Sequence, residues 1–211
     1  MFMNILSKKE IAILKKLSSP IKIQDFLDKM PINYEKKGET YMSVKNALKE
    51  NKAHCFEGAL IAAAALSING QPPFLLDLKA NQKNDVDHVV ALYKKNGRWG
   101  AISKTNHASI RFRDPIYKTI RELAVSYFHE YFDNKTGKKT LESYSAPFNL
   151  KKCQFDWLSS DDNLNDLVDL IDSVKHFDIY PSKNKKYIRK ADKMERKAGS
   201  IIEWKKEDPR T

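Results

Sequence analysis

Cys55 opens a long apolar, alanine-rich run, Phe56-Glu57-Gly58-Ala59-Leu60-Ile61-Ala62-Ala63-Ala64-Ala65-Leu66, and His88 heads a second apolar segment, Val89-Val90-Ala91-Leu92-Tyr93. A thiol in the first turn of a helix meets unpaired backbone N–H groups and the positive end of the helix dipole, both of which favour thiolate. An imidazole brought alongside would complete the ion pair that cysteine hydrolases and acyltransferases use. The alternative is a buried structural cysteine with an unrelated histidine, because free cysteine is commonly buried. Cys55, His88 and His107 would also serve as zinc ligands, but no pair of them falls at a recognised zinc spacing, so neither a metal nor another cofactor is expected.

The elements that must position these groups can be read from periodicity. The run from Cys55 is apolar all round and predicts a helix buried on every side, ending at Asn69-Gly70. Three short helices are predicted before it. Ser7 to Leu17 carries a capping box from Ser7 to Glu10, Ile23 to Met30 follows Pro20, and a third helix is capped by Thr40 or Ser43. After Pro72-Pro73, strands are predicted at Phe74–Leu78, His88–Tyr93 and Arg98–Ile102, the last two joined by the hairpin signal Asn96-Gly97. A fourth strand is expected at Ser109–Phe112, and a helix from about Ile116 to Phe132. An acidic amphipathic helix spans 161–172, with its aspartates on a solvated face. The basic tail from Ser182 carries Ile201, Ile202 and Trp204, which suggests that it packs back on the body.

Composition narrows the class. The chain has 211 residues, 41% hydrophobic and 31% charged, which fits a globular domain rather than a disordered chain. No apolar run is long enough to span a bilayer. Residues 1–10 lack a secretory pattern, and there are only two cysteines, Cys55 and Cys153, so reduced thiols in the cytoplasm are expected. The net charge of +11 is polarised. Residues 1–52 carry 11 lysines against 6 acids, and residues 176–211 carry 11 lysines and arginines against 6 acids, which leaves +1 for residues 53–175. Basic ends of this kind can touch nucleic acid or an anionic surface. The chain has no helix-turn-helix, zinc-finger or aromatic-basic pattern that would read bases, so this partner class ranks last.

The stretch Asn51-Lys52-Ala53-His54-Cys55-Phe56-Glu57-Gly58-Ala59, then Leu66-Ser67-Ile68-Asn69-Gly70, Asp87-His88-Val89 and Gly97-Arg98-Trp99-Gly100, resembles the core of the transglutaminase-like cysteine-protease superfamily. Within it, the stretch is most similar to small bacterial transglutaminase-like proteins. The resemblance covers about residues 40–110. It implies an α+β fold with a papain/transglutaminase-like core, in which the buried Cys-bearing helix packs on an antiparallel sheet. The chain then reads as a single domain, 1–211, with a core at about 40–132 and helical extensions at 1–39 and 133–211. Cys55 matches the nucleophile and His88 the base. Family members place an aspartate at the end of the strand after the hairpin, but Trp99 to His107 holds none. Asn106 is the preferred third member, because its side-chain carbonyl can orient an imidazole. Ser103 is the alternative, and Asp114, beside Pro115, is a further candidate. His54, Glu57 and Trp99 are candidate substrate-lining residues.

These readings lead to thiol-dependent acyl transfer on amide bonds of a peptidase, amidase, deamidase or transglutaminase type. The substrate would be a protein, a peptide or another amide-containing molecule. The competing function is a non-catalytic binding module of the same fold with a degraded triad.

Overall fold

The computed structural model describes residues 5–35, 38–81, 83 and 85–202. Four helices come first: α1 (Lys8–Lys16), α2 (Pro20–Lys29), α3 (Val44–Glu50) and α4 (Cys55–Ile68). The Ser7–Glu10 capping box closes α1 from both sides, and Ser43 caps α3. Pro20 is the first residue of α2 rather than a terminator of α1, because a helix's first turn does not need the missing N–H.

The sheet follows as β1 (Phe74–Ala80), β2 (His88–Lys95), β3 (Arg98–Ile102) and β4 (Arg113–Tyr117). After α5 (Ile120–Phe128) come β5 (Leu141–Ser145), β6 (Phe148–Asn149), α6 (Asn165–Asp172), β7 (His176–Asp178) and α7 (Lys193–Gly199). The strand order is β4-β3-β2-β1-β5-β7, with β6 also on β1, and every pairing is antiparallel. At the β2–β3 hairpin, Lys95 pairs with Arg98, and Asn96 and Gly97 both have positive φ (48° and 77°). That is the primed two-residue turn the Asn-Gly pair predicts.

Alternation along the strands divides the core into two layers. Leu75, Ala91, Tyr93 and Ile102 join Leu14, Leu27, Val44, Leu167 and Ile171 on the face that holds α4. Leu76, Leu78, Val90, Leu92 and Ala101 join Leu123, Ala124 and Tyr127 of α5 on the other. Helix α4 lies between α1, α2 and α3 on one side and β1 and β2 on the other. Ala62 to Ala65 are 0% exposed. Small side chains let five neighbours approach one helix at crystal-like density. The molecule is therefore mixed α/β, with an antiparallel sheet packed against helices and a buried Cys-bearing helix. Among the described residues no helix is long and apolar enough to cross a membrane.

The second half departs from expectation. Pro115 sits inside β4 instead of preceding a helix, which an edge strand tolerates because one N–H row faces away from the ladder. The strand expected at Ser109–Phe112 begins only at Arg113, and α5 starts three residues after β4, under a Thr119 cap. Residues 133–202 are not helical alone, although α6 and α7 lie among them. They return β5, β6 and β7 to the sheet, where β5 and β6 cover the free edge of β1. These strands are five, two and three residues long, too short to imprint a period. The tail does touch the body, through Ala108 N–H donating to Ile201 O at 2.9 Å and a bridge between His107 and Ile202. Glu203 and Trp204 lie outside the described residues.

Candidate active site

Cys55 is the first residue of α4 and 9% exposed. Its sulfur lies 3.3 Å from Nδ1 of His54, the N-cap residue. His54 was expected to line the substrate site. The extended backbone at the N-cap (φ −92°, ψ −171°) instead turns the imidazole back over the first turn, onto the sulfur. Burial alone would push the Cys55 thiol up. The His54 charge and hydrogen bond, with smaller contributions from His88, win and hold it well below the ordinary range. The thiolate in return pushes His54 up to about 9, against the opposing effect of burial. The two groups titrate as a coupled ion pair.

His88 begins β2 and is 4% exposed. It favours the Cys55 thiolate through hydrogen bonding and charge, less strongly than His54 does. Its Nε2 lies 2.8 Å from Ser103 Oγ, and Ser103 Oγ donates to Ile110 O, also at 2.8 Å. A serine hydroxyl has one proton and the carbonyl takes it, so Oγ accepts from His88 Nε2–H. Nδ1 is thereby left as the ring atom that can exchange a proton. The register explains the meeting. Ala91 pairs with Ile102, so the start of β2 and the residue after β3 lie at the same end of the sheet. Ser103, the alternative third member, is thus the partner of His88. Among the described residues no hydrogen bond joins His88 to Asn106, which sits in the bend beyond Ser103 and Lys104. Asp114 is exposed in β4.

Two residues that sequence reasoning passed over fix Ser103. Gln24 of α2 accepts from Ser103 N–H at 3.0 Å and donates to Ser103 O at 2.8 Å, so both backbone groups of that residue are clamped by one buried amide. Lys104 is 2% exposed, and its ammonium donates to Leu27 O and Met30 O at the C-terminal end of α2, where carbonyls lack helical partners. A Cβ on Gly58 would lie 2.3 Å from Lys104 Cβ. Only glycine at that position lets the segment leaving β3 pass so close to the Cys55 helix. The signal was present in Cys55-Phe56-Glu57-Gly58, but nothing in the sequence names what crosses there.

Glu57 and Trp99 do not line a cleft. Glu57 is 0% exposed, accepts from His54 N–H at 2.8 Å and Met42 N–H at 3.2 Å, and so fixes the backbone that carries His54. Burial pushes its carboxyl up. Trp99 pairs with Lys94 near the hairpin and meets Phe74 edge-on at 6.4 Å. Lys94 stands six positions along β2 from His88, roughly 20 Å along a strand. Tyr41, packed edge-on against Phe56 at 5.5 Å, is one aromatic residue that feels the site, and Tyr131 is another. The Tyr41 hydroxyl is pushed up to about 12, first by burial, then by Glu39, with Glu35 and the Cys55 thiolate adding.

Cys55, His88 and His107 do not converge on a common point for a metal; among the described residues the grouping that does is Asp77, Asp87 and Asp172. That group already meets protein cations: His176 Nε2 is 3.0 Å from Asp77, and Lys79 Nζ is 3.5 Å from Asp172. No family model matches the chain, and no curated protein is significantly similar to it.

Proposed function

We propose that the chain is a thiol-dependent acyl-transfer enzyme acting on amide bonds, of the transglutaminase-like cysteine-protease type, working on a protein, peptide or other amide-containing substrate in the reducing cytoplasm. The observation that carries this reading is a helix-terminal sulfur 3.3 Å from the His54 imidazole and favoured as thiolate by a second, His88, which Ser103 locks so that a single ring nitrogen stays available. The Cys55 thiolate attacks the amide carbon, and the developing oxyanion can take the Cys55 backbone N–H, which has no acceptor within the helix. His88 enters the cycle with a proton on Nδ1 as well as Nε2 and gives the Nδ1 proton to the leaving amine, so that the C–N bond breaks and a thioester forms. Water or a second amine then gives a proton to His88 and displaces the thiolate. His54 keeps the sulfur ionised between turnovers. A Cys-bearing helix packed on antiparallel strands, with the histidine at the start of β2 and its partner just after β3, also supports the papain/transglutaminase-like assignment of the core.

The competing reading is a binding module of the same fold. It draws on Ser103, a hydroxyl that cannot balance an imidazolium charge as a carboxylate does, and on the small exposure of Cys55. One experiment separates the two. Incubation with p-nitrophenyl acetate followed by peptide mass mapping should give a burst of nitrophenol and an acetyl adduct on Cys55. Cys55→Ser should abolish the burst and His88→Ala should slow both its formation and decay. Absence of adduct on a folded wild-type protein, or an adduct indifferent to His88, rejects acyl transfer and favours the module.

A further inference from the structure

Ile110 has φ 54°, in the left-handed region. A β-branched side chain is poorly tolerated there, so the conformation persists only where the surroundings impose it. Two hydrogen bonds do so. Ile110 N–H donates to Glu130 Oε2 at 2.6 Å, and Ile110 O accepts the Ser103 hydroxyl that faces His88. Glu130 is itself fixed, because the same Oε2 accepts from Arg113 Nη2 at 2.7 Å. The Arg113 guanidinium donates to Ser126 Oγ at 3.0 Å and lies 4.0 Å over the Tyr127 ring, both on α5. The segment between β3 and β4 is thus fastened to α5 at the point where its backbone turns the wrong way for an isoleucine.

We propose that Glu130 is a positioning residue for His88, acting through the left-handed peptide of Ile110. By pinning the Ile110 N–H, Glu130 aims the Ile110 carbonyl at Ser103. That carbonyl takes the only hydroxyl proton of Ser103 and leaves Oγ as an acceptor for His88 Nε2–H. The imidazole is held in the tautomer whose Nδ1 can exchange a proton with the thiol chemistry. The catalytic part of this inference rests on the acyl-transfer reading. A carboxylate does belong to the arrangement, two hydrogen bonds behind the hydroxyl instead of directly on the imidazole.

The test uses the full chain with nitrogen-15 in its histidines, reading the ring correlation spectrum of His88 alongside p-nitrophenyl acetate turnover. Glu130→Ala frees the Ile110 N–H and is expected to lose the Nε2–H tautomer signature and to slow turnover about 10- to 100-fold, the scale of a small misplacement of a catalytic group. Glu130→Gln keeps an acceptor and should stay within about threefold of wild type. Ile110→Gly placed in the Glu130→Ala background should recover signature and rate, since glycine adopts positive φ without Glu130 holding it. A purely structural role for Glu130 gives no such rescue. Should Glu130→Ala fail to fold, Glu130→Asp keeps the charge but withdraws the oxygen by one methylene, and the same loss is expected. A wild-type His88 spectrum in folded Glu130→Ala or Glu130→Asp, or loss without rescue by Ile110→Gly, overturns the proposal. If wild type itself gives no Cys55 adduct, the acyl-transfer reading fails, and the tautomer signature still decides whether Glu130 orients His88.

Discussion

Cys55 and Cys153 are both withdrawn from solvent, yet their surroundings drive them in opposite directions. Around Cys55, burial is outweighed by His54 at 3.3 Å and by His88 behind it, and the thiol is held well below its ordinary range. Cys153 follows a short turn, accepts one backbone N–H from Phe155 at 3.4 Å, and burial pushes it up. Lys151 and Lys152, its sequence neighbours, are exposed and do not offset that. The same contrast runs through two histidines. His176 places Nδ1 on Val174 O at 2.6 Å and Nε2 on Asp77 at 3.0 Å, so both nitrogens face acceptors and none is left for proton exchange. His88 has a weaker partner in Ser103 but keeps Nδ1 in reserve. Reactivity in this fold therefore depends on what is left unengaged beside a sulfur, more than on whether a histidine has a carboxylate.

The largest effect expected from this contrast is in alkylation. At pH 6 an ordinary thiol with pKa near 8.5 is under about 1% thiolate, whereas a strongly lowered one is mostly ionised, with part of the gain lost to weaker nucleophilicity. Iodoacetamide should therefore label Cys55 in the Cys153→Ser variant at least about tenfold faster than it labels Cys153 in the Cys55→Ser variant. Faster labelling of Cys153 would reverse the comparison.

The next effect separates the two imidazoles. His54→Ala removes the largest favourable influence on the thiolate, and should raise the pH of half-maximal Cys55 labelling. His88→Ala should shift it less while costing more in turnover. The sign for wild type follows from the ion pair. Its acid limb lies where Cys55 gains a proton, below the ordinary thiol range. At the alkaline end, near pH 9, His54 loses the proton that its raised pKa retains and the ion pair is lost, but the sulfur stays thiolate and labelling persists. Labelling and turnover measured between pH 4 and 10 on the three proteins would check this, and equal shifts for both variants would place the imidazoles on a par.

The smallest effect concerns the packing that brings Ser103 beside the Cys55 helix. Gly58→Ala sets a methyl against Lys104 Cβ, a contact with little room to yield because Lys104 is anchored to α2. Urea unfolding should show a loss of about 1–3 kcal/mol, the usual range for overpacking. The Cys153 side of the molecule offers a control, since Cys153→Ala should stay well below that.

Much of the first half was legible from sequence because its signals are local. Ser7 and Glu10, Ser43, Asn96-Gly97 and the all-round apolar run from Cys55 each specify a cap, a turn or a buried helix within a few residues. In the second half the acidic helix at 161–172 was legible and forms α6, but β5, β6 and β7 were not, because they are short and owe their existence to the open edge of β1. Trp99 was misjudged for a related reason: periodicity identifies a strand but says little about which end of it faces the site. Glu57 offered a partial signal, since a lone acid in an apolar helix had to find partners, and it found backbone N–H groups.

Sequence by itself determined that a cysteine begins a buried helix and that a histidine begins a strand, since both follow from residue type and period. Only the tertiary structure decided which groups meet. It turned His54 onto the sulfur through one extended N-cap conformation, chose Ser103 through the β2–β3 register and the Gln24 clamp, and brought Glu130, in the turn just past α5, to a strained Ile110. Contacts between residues far apart in the chain carry no local pattern. They are set by which surfaces can be buried together, and a serine hydroxyl becomes an acceptor only once a carbonyl from another segment has taken its proton.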